Sequence, residues 1–346
     1  MTTQHVEHEI TVAAPAADVY RLIAEVENWP QIFPPTIHVD VAERTGTDER
    51  IRIWATANGA AKNWTSRRTL DPEGLRIDFR QEVSAPPVAA MGGTWIIEPL
   101  PDGDSRIRLL HDYRAVGDDP EGLKWIEEAV DRNSRSELAA LKTNVELAHA
   151  SKELTFSFED SVRIDGAAED AFDFINEAGL WAERLPHVAS VRFEEDDPGL
   201  QTLEMDTRAR DGSVHTTKSY RVAFPHQKIA YKQITLPALM TLHTGCWTFT
   251  EDEGGVTAVS QHTVVLNTAN IARVLGEEAT VEDARAYVHG ALSTNSRATL
   301  GHAKDYAENN HAENSHAENS HAENSHAENS HAENSHAENS HAESKS

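Results

Sequence analysis

Apolar and polar positions succeed one another in the same order twice along this chain. The run EITVAAPAADVYRLIAEVENWPQIFPPTIHV, from Glu9, and the run SVRIDGAAEDAFDFINEAGLWAERLPHVASV, from Ser161, superpose at an offset of 152 without a gap. Ile10 meets Val162, Tyr20 meets Phe172, Ile23 meets Ile175, Trp29 meets Trp181 and Pro34 meets Pro186. The same offset pairs Ile77 with Ile229, Phe79 with Tyr231, Gln81 with Gln233, Gly93 with Gly245 and Trp95 with Trp247. Each half closes on a similar phrase, NSRSELAALK from Asn133 and NSRATLGHAK from Asn295. There the offset is 162, so the second half gains about ten residues ahead of its last helix. A period of this length suits one domain and is far too long for a solenoid. The expected organisation is a domain over 1–150, a second over 151–306 with the hinge near 148–153, and a tail over 307–346.

Within the first half, 8–12 has a short strand pattern that Pro15 closes. Asp18 is expected to cap a helix whose apolar stripe is Val19, Leu22, Ile23 and Val26, and WPQIFPP is expected to break it. Strand-like runs bounded by Gly, Pro and Asp follow at 37–42, 50–57, 62–70, 75–83, 93–99 and 106–116. A long amphipathic helix closes the half, with Trp125, Ile126, Ala129, Leu138, Leu141 and Val145 on its apolar side. The implied class is α+β: an antiparallel sheet that buries one face under a long C-terminal helix. That arrangement leaves a cavity, the usual place for a ligand.

The layout resembles the helix-grip fold of the START and Bet v 1-like superfamily. WPQIFPP, the W-x-S-x-R run in NWTSRRTLD, the M-x-x-x-W run in MGGTW and the closing NSR helix resemble those of polyketide aromatase/cyclases. Two tandem copies are similar to the didomain aromatase/cyclases of bacterial type II polyketide synthases, over roughly residues 5–306. The resemblance implies an enzyme that folds a ketoreduced poly-β-ketone held on an acyl carrier protein. It would form or fix the first ring by aldol closure, between C7 and C12, and aromatise it by dehydration. A ketoreductase and other synthase enzymes are the further partners implied. The rival reading is a non-catalytic START-like carrier of a lipid or polyketide, since fold alone does not give function.

On a strand, period two places Trp64, Ser66 and Arg68 on one face. Arg68 can polarise a carbonyl or enolate, and Ser66 can orient an oxygen; the bland alternative is an ion pair and a satisfied hydroxyl. The resemblance places this Ser and Arg in the pocket. His111 is in phase with Leu109 and Tyr113 and suits proton transfer, or else is a hydrogen-bonded core residue. Thr36, Trp54, Gln81, Met91, Trp95 and Tyr113 are candidate pocket residues beside Trp64, with ordinary core or surface packing as the alternative for the aromatics. In the second half, Thr216, Lys218 and Tyr220 are read at the places of Trp64, Ser66 and Arg68. His243 replaces Met91, His262 answers His111 and Trp247 answers Trp95. The second cavity is open to three readings: a second catalytic step, substrate holding, or structural support. The first half is put ahead for ring closure.

Composition narrows the partners. The formal charge is −26; residues from Ala307 carry eight Glu and one Lys, −8 + 1 = −7, which leaves −26 + 7 = −19 on the body. Such a body disfavours nucleic acid and anionic membranes. Cys246 is the only cysteine, so no intrachain disulfide is expected. No HExxH, Cys/His cluster, GxGxxG or P-loop occurs, so neither metal nor nucleotide cofactor is expected. Without a secretory-type start or a long apolar run, the chain reads as cytoplasmic. The six HAENS units and final HAES offer nothing apolar to bury and are expected to be disordered, so that cutting after Tyr306 should change little.

Overall fold

The structure, a computed structural model, describes residues 2–57, 60–208 and 212–342, with 57, 150 and 314–342 described by backbone alone. The first half begins with β1 (Gln4–Val12), α1 (Ala16–Ala24) and the four-residue α2 (Trp29–Ile32). Six strands follow: β2 (Thr36–Thr45), β3 (Asp48–Ala57), β4 (Ala60–Asp71), β5 (Arg76–Gln81), β6 (Val88–Pro99) and β7 (Ser105–Ala115). The helix α3 (Pro120–Ala150) ends the half, and its N-cap Asp119 accepts from the Gly122 N–H at 2.7 Å. The sheet is antiparallel in the order β1-β7-β6-β5-β4-β3-β2.

The second half repeats this: β8 (Thr155–Ile164), α4 (Ala168–Asn176), α5 (Trp181–Arg184), then β9 (Val188–Asp197), β10 (Leu200–Arg208), β11 (Val214–Phe224), β12 (Lys228–Thr235), β13 (Met240–Asp252) and β14 (Gly255–Leu266). Its sheet order, β8-β14-β13-β12-β11-β10-β9, is the same. The extra residues form α6 (Ile271–Leu275) and its flanks, ahead of α7 (Val281–Ala342). No helix of the described residues is long and apolar enough to cross a membrane.

Each core sits between the inner sheet face and the long helix. Leu138, Leu141 and Val145 of α3 pack on Ile77, Trp95, Ile97, Ile107 and Leu109. Leu300, Ala303 and Ala307 of α7 pack in the same way with Ile229, Trp247 and Phe249. Removing a large buried side chain from either layer would cost about 2–5 kcal/mol. The NSR phrase in the second half docks the helix. Ser293, Ser296 and Arg297 all donate to the buried Asp160 of β8, at 2.8, 2.7 and 2.6 Å.

Four expectations differ. Pro15, not Asp18, is the N-cap of α1; Asp18 stands in the first turn, where a carboxylate favours the helix dipole. WPQI forms a helical turn of its own, because Pro30 lies where a missing N–H breaks no helical bond. Trp125 is 50% exposed, on the solvent side of α3. The tail does not begin unstructured at 307. Ala307 is fully buried, Glu308 accepts from the Asp165 N–H at 2.9 Å and Asn310 donates to Asp170 at 2.9 Å. The backbone of α7 continues helically to Ala342, in keeping with the helix preference of Ala and Glu.

The halves pack directly on each other. Ile37 and Trp54 of the first half form one buried cluster with Leu200, Tyr220 and Val222 of the second. Lys228 of β12 donates to Asp40 at 2.7 Å, and four residues on, buried Lys232 reaches the turn before β2.

Candidate functional site

On β4 the alternation puts Trp64, Ser66 and Arg68 on the inner face, with Ser66 and Arg68 buried. Ser66 lies opposite Gln81 of β5, and Gln81 Oε1 accepts from Ser84 at 3.3 Å. Met91, Gly93 and Trp95 alternate inward on β6, opposite Tyr113, His111 and Leu109 of β7. Thr36 pairs with Ala55, so it shares the inner face of β3. Trp95 and Tyr113 are core residues, 5% and 2% exposed.

His111 stands edge-on to Phe79, and its Nδ1 lies 3.4 Å from the Ser134 hydroxyl of α3. Burial, helped by His8, pushes its pKa down to about 4, so the ring is neutral at pH 7. One turn beyond Ser134 comes Glu137, whose carboxyl burial raises to about 7. The sequence signal for it was available: an acid within the stripe of Ser134, Leu138 and Leu141. A carboxyl that is half-protonated at neutral pH is suited to acid–base work.

Arg68 is not a free cation. Its guanidinium pairs with the buried Glu49 and donates to the carbonyls of Ile23 and Ala24 at 3.1 and 2.7 Å, over the Trp29 ring. Glu49 also meets Arg44 at 2.6 Å. Burial pulls the Arg68 pKa down while Glu49 opposes it. The sequence did not single out Glu49, which stands across the β3–β4 ladder from Arg68.

The second half needs a larger correction. On β11 the inward residues are Thr217, Ser219 and Arg221, all buried, so the S-x-R pair is retained and not replaced. Ser219 faces Leu203 across the ladder as Ser66 faces Ile51. Arg221 donates to the Ile175 carbonyl at 2.7 Å over Trp181, as Arg68 does with Ile23 and Trp29. The correct offset in this strand is 153. The preceding hairpin carries one residue more and the following turn one fewer, so the gapless register fails here; it slips again on β14, where His262 answers His111 at an offset of 151. A one-residue slip reverses every side chain. Lys218 and Tyr220 therefore lie on the outer face, and Tyr220 is buried against Trp54 in the interface between the halves. Trp54 is likewise an interface residue and not a pocket wall; its ring lies 5.3 Å from that of Phe224.

The second half encloses a cavity of about 110 Å³ lined by Trp181, Leu203, Ser219, Arg221, Trp247 and a polar group on one wall. In that group, His243 Nδ1 lies 2.8 Å from Gln233 Oε1, and its Nε2 lies 3.0 Å from His262 Nδ1. The Tyr231 hydroxyl is 3.0 Å from His262 Nδ1, and Ser260 is 3.1 Å from its Nε2. Burial holds His243 at about 3 and His262 at about 4, and drives the Tyr231 phenol up. Gly245 makes room for this: a Cβ there would come within 2.3 Å of the Tyr231 hydroxyl. Elsewhere, Glu169, Asp173 and His226 bring potential metal-ligand atoms within 4.8 Å of one another at an outer corner.

A family model described as polyketide cyclase / dehydrase and lipid transport matches the chain twice, over residues 3–146 and 155–308. A granaticin polyketide synthase bifunctional cyclase/dehydratase of Streptomyces virginiae is 63% identical over 305 residues, 86% of this chain and 98% of the relative. An actinorhodin polyketide synthase bifunctional cyclase/dehydratase of Streptomyces coelicolor is 46% identical, covering 86% and 95%. The crystal structure of the di-domain ARO/CYC BexL from the BE-7585A biosynthetic pathway superposes with a TM-score of 0.85 at 68% identity, covering 88% of this chain and 99% of that one.

Proposed function

The chain belongs to the polyketide cyclase / dehydrase and lipid transport family, and from that premise we propose that it is a polyketide aromatase/cyclase. Its substrate is a ketoreduced poly-β-ketone tethered to an acyl carrier protein, delivered by a type II synthase with its ketoreductase. The chain folds that substrate, closes or fixes the first ring between C7 and C12 by aldol addition, and removes water. These steps are redox-neutral and need a shaped wall, an oxyanion partner and a proton shuttle, with no cofactor.

The observation that carries this reading is the inward S-x-R pair beside a neutral histidine, half-buried in the first half and buried in the second. In the first half, Ser66 and Gln81 orient ketone oxygens, and Trp64 and Met91 form the wall, backed by the core residues Trp95 and Tyr113. His111 takes a proton from carbon, and Glu137 exchanges protons with the developing alkoxide. Arg68 reinforces this wall with its charge shared by Glu49. A plain carrier would bury an apolar cargo and would have no use for this many aligned polar groups. The test is reconstitution of minimal synthase, ketoreductase and carrier protein with and without this chain. A shift to products with an aromatic first ring is expected; an unchanged product profile would defeat the reading.

A further inference from the structure

The two halves differ at the position that decides whether a buried arginine keeps its charge to itself. Glu49 faces Arg68 across β3 and β4; Gln201 faces Arg221 across β10 and β11. Gln201 is turned to Asn176 and Glu195, to which its amide donates at 2.8 and 2.9 Å. Among the described residues Arg221 forms no ion pair, although it is 2% exposed and lines the cavity. Its Nη1 has no hydrogen-bond partner. Burying a guanidinium without a carboxylate is costly, and such a charge is well placed to meet an anion that forms beside it. Beside it on the same sheet stands a linked group, Tyr231, the ladder partner of Arg221 on β12, with His262 and His243, that can take up and return a proton.

We propose that the second-half cavity is a catalytic site in its own right, where Arg221 holds the enolate oxygen of a ring-closed β-hydroxy ketone and the His262–His243–Tyr231 group moves the proton, so that water is lost there. In this step a C–H bond α to the carbonyl breaks and its proton passes to the histidine pair. The electron pair rests on the oxygen held by Arg221, then forms the C=C bond as the β C–O bond breaks. The same proton leaves with the hydroxide as water, so the site ends as it began. Ser219, in line with Arg221 on β11, is placed to orient the substrate. The substrate class rests on the cyclase reading above; the location of the charge does not.

The full-length chain is to be titrated with 2-naphthoate and with its neutral amide, following the fluorescence of Trp181 and Trp247. The wild type is expected to prefer the carboxylate. Arg221→Gln should weaken 2-naphthoate by at least about tenfold and leave the amide unchanged. Gln201→Glu, which supplies the partner Arg68 has, should weaken it likewise with Arg221 still present; it carries the test if Arg221→Gln does not fold. In the reconstituted synthase both variants should accumulate ring-closed, still hydroxylated product. Retention of the carboxylate preference in Arg221→Gln, or aromatised product at the wild-type level, would overturn the proposal. If the wild type changed no product yet kept an Arg221-dependent preference for the carboxylate, the cyclase reading would fail and the anion site would stand.

Discussion

Lys232 of the second half donates to the Pro30 carbonyl of the first half across 2.7 Å. The same ammonium reaches the carbonyls of Phe33, Pro34 and Thr36 at 3.1, 2.9 and 3.0 Å. One side chain thus satisfies the backbone of the WPQIFPP turn, which leads into the strand carrying Thr36. Burial pulls the lysine pKa down to about 7, and the four carbonyls favour its charged form. Lys232→Met leaves those oxygens without a partner. A loss of about 3 kcal/mol is expected in denaturant unfolding, together with slower ring closure. Unchanged stability would show that water replaces the lysine.

The Glu49–Arg68 pair makes a second prediction. Both side chains are almost fully buried, so removing one charge strands the other. Glu49→Gln should cost about 3–5 kcal/mol. Replacing the exposed partner, Arg44→Gln, should cost about 1 kcal/mol or less. Equal losses in urea melts would contradict this ranking.

Acid should destabilise the fold through its inward-facing neutral histidines. His111, His243 and His262 have pKa values of about 4, 3 and 4 when folded, below the ordinary 6.5. Between about pH 6.5 and 4 the unfolded chain binds more protons at these sites, so stability falls as pH falls. Each contributes on the order of 3–5 kcal/mol at most. His243→Asn should flatten the slope of unfolding free energy against pH in that window; an unaltered slope would count against a neutral buried ring.

Glu137 acts in the opposite sense. Its folded pKa, about 7, lies above the ordinary 4.5. The folded chain therefore binds more protons between those values, and stability is lost as pH rises through them. Glu137→Gln should abolish that loss and raise the melting temperature at pH 8. Ring closure should fall at the same time if Glu137 exchanges protons with substrate.

The tail provides the last prediction. Cutting after Tyr306 removes the buried Ala307 and the contacts of Glu308 and Asn310, and should lower the melting temperature by several degrees. Cutting after Glu313 keeps them and should leave it unchanged. Equal melting curves would mean that these contacts add nothing.

The sequence by itself determined the duplicated helix-grip architecture, because a two-residue strand period and a helical apolar stripe repeat along the chain. It also placed Ser66, Arg68, Gln81 and His111 on one inner face, for the same reason. It misplaced Lys218 and Tyr220, because one residue inserted in a hairpin reverses a strand's faces without altering its composition. It misread Trp54, because outer strand faces that pack on a second domain look like pocket walls in a local pattern. Only the tertiary structure decided that Glu49 takes up the charge of Arg68 while Gln201 leaves Arg221 without an ion pair among the described residues. Pairing across a ladder joins residues distant in the chain, and burial sets what each charge is worth.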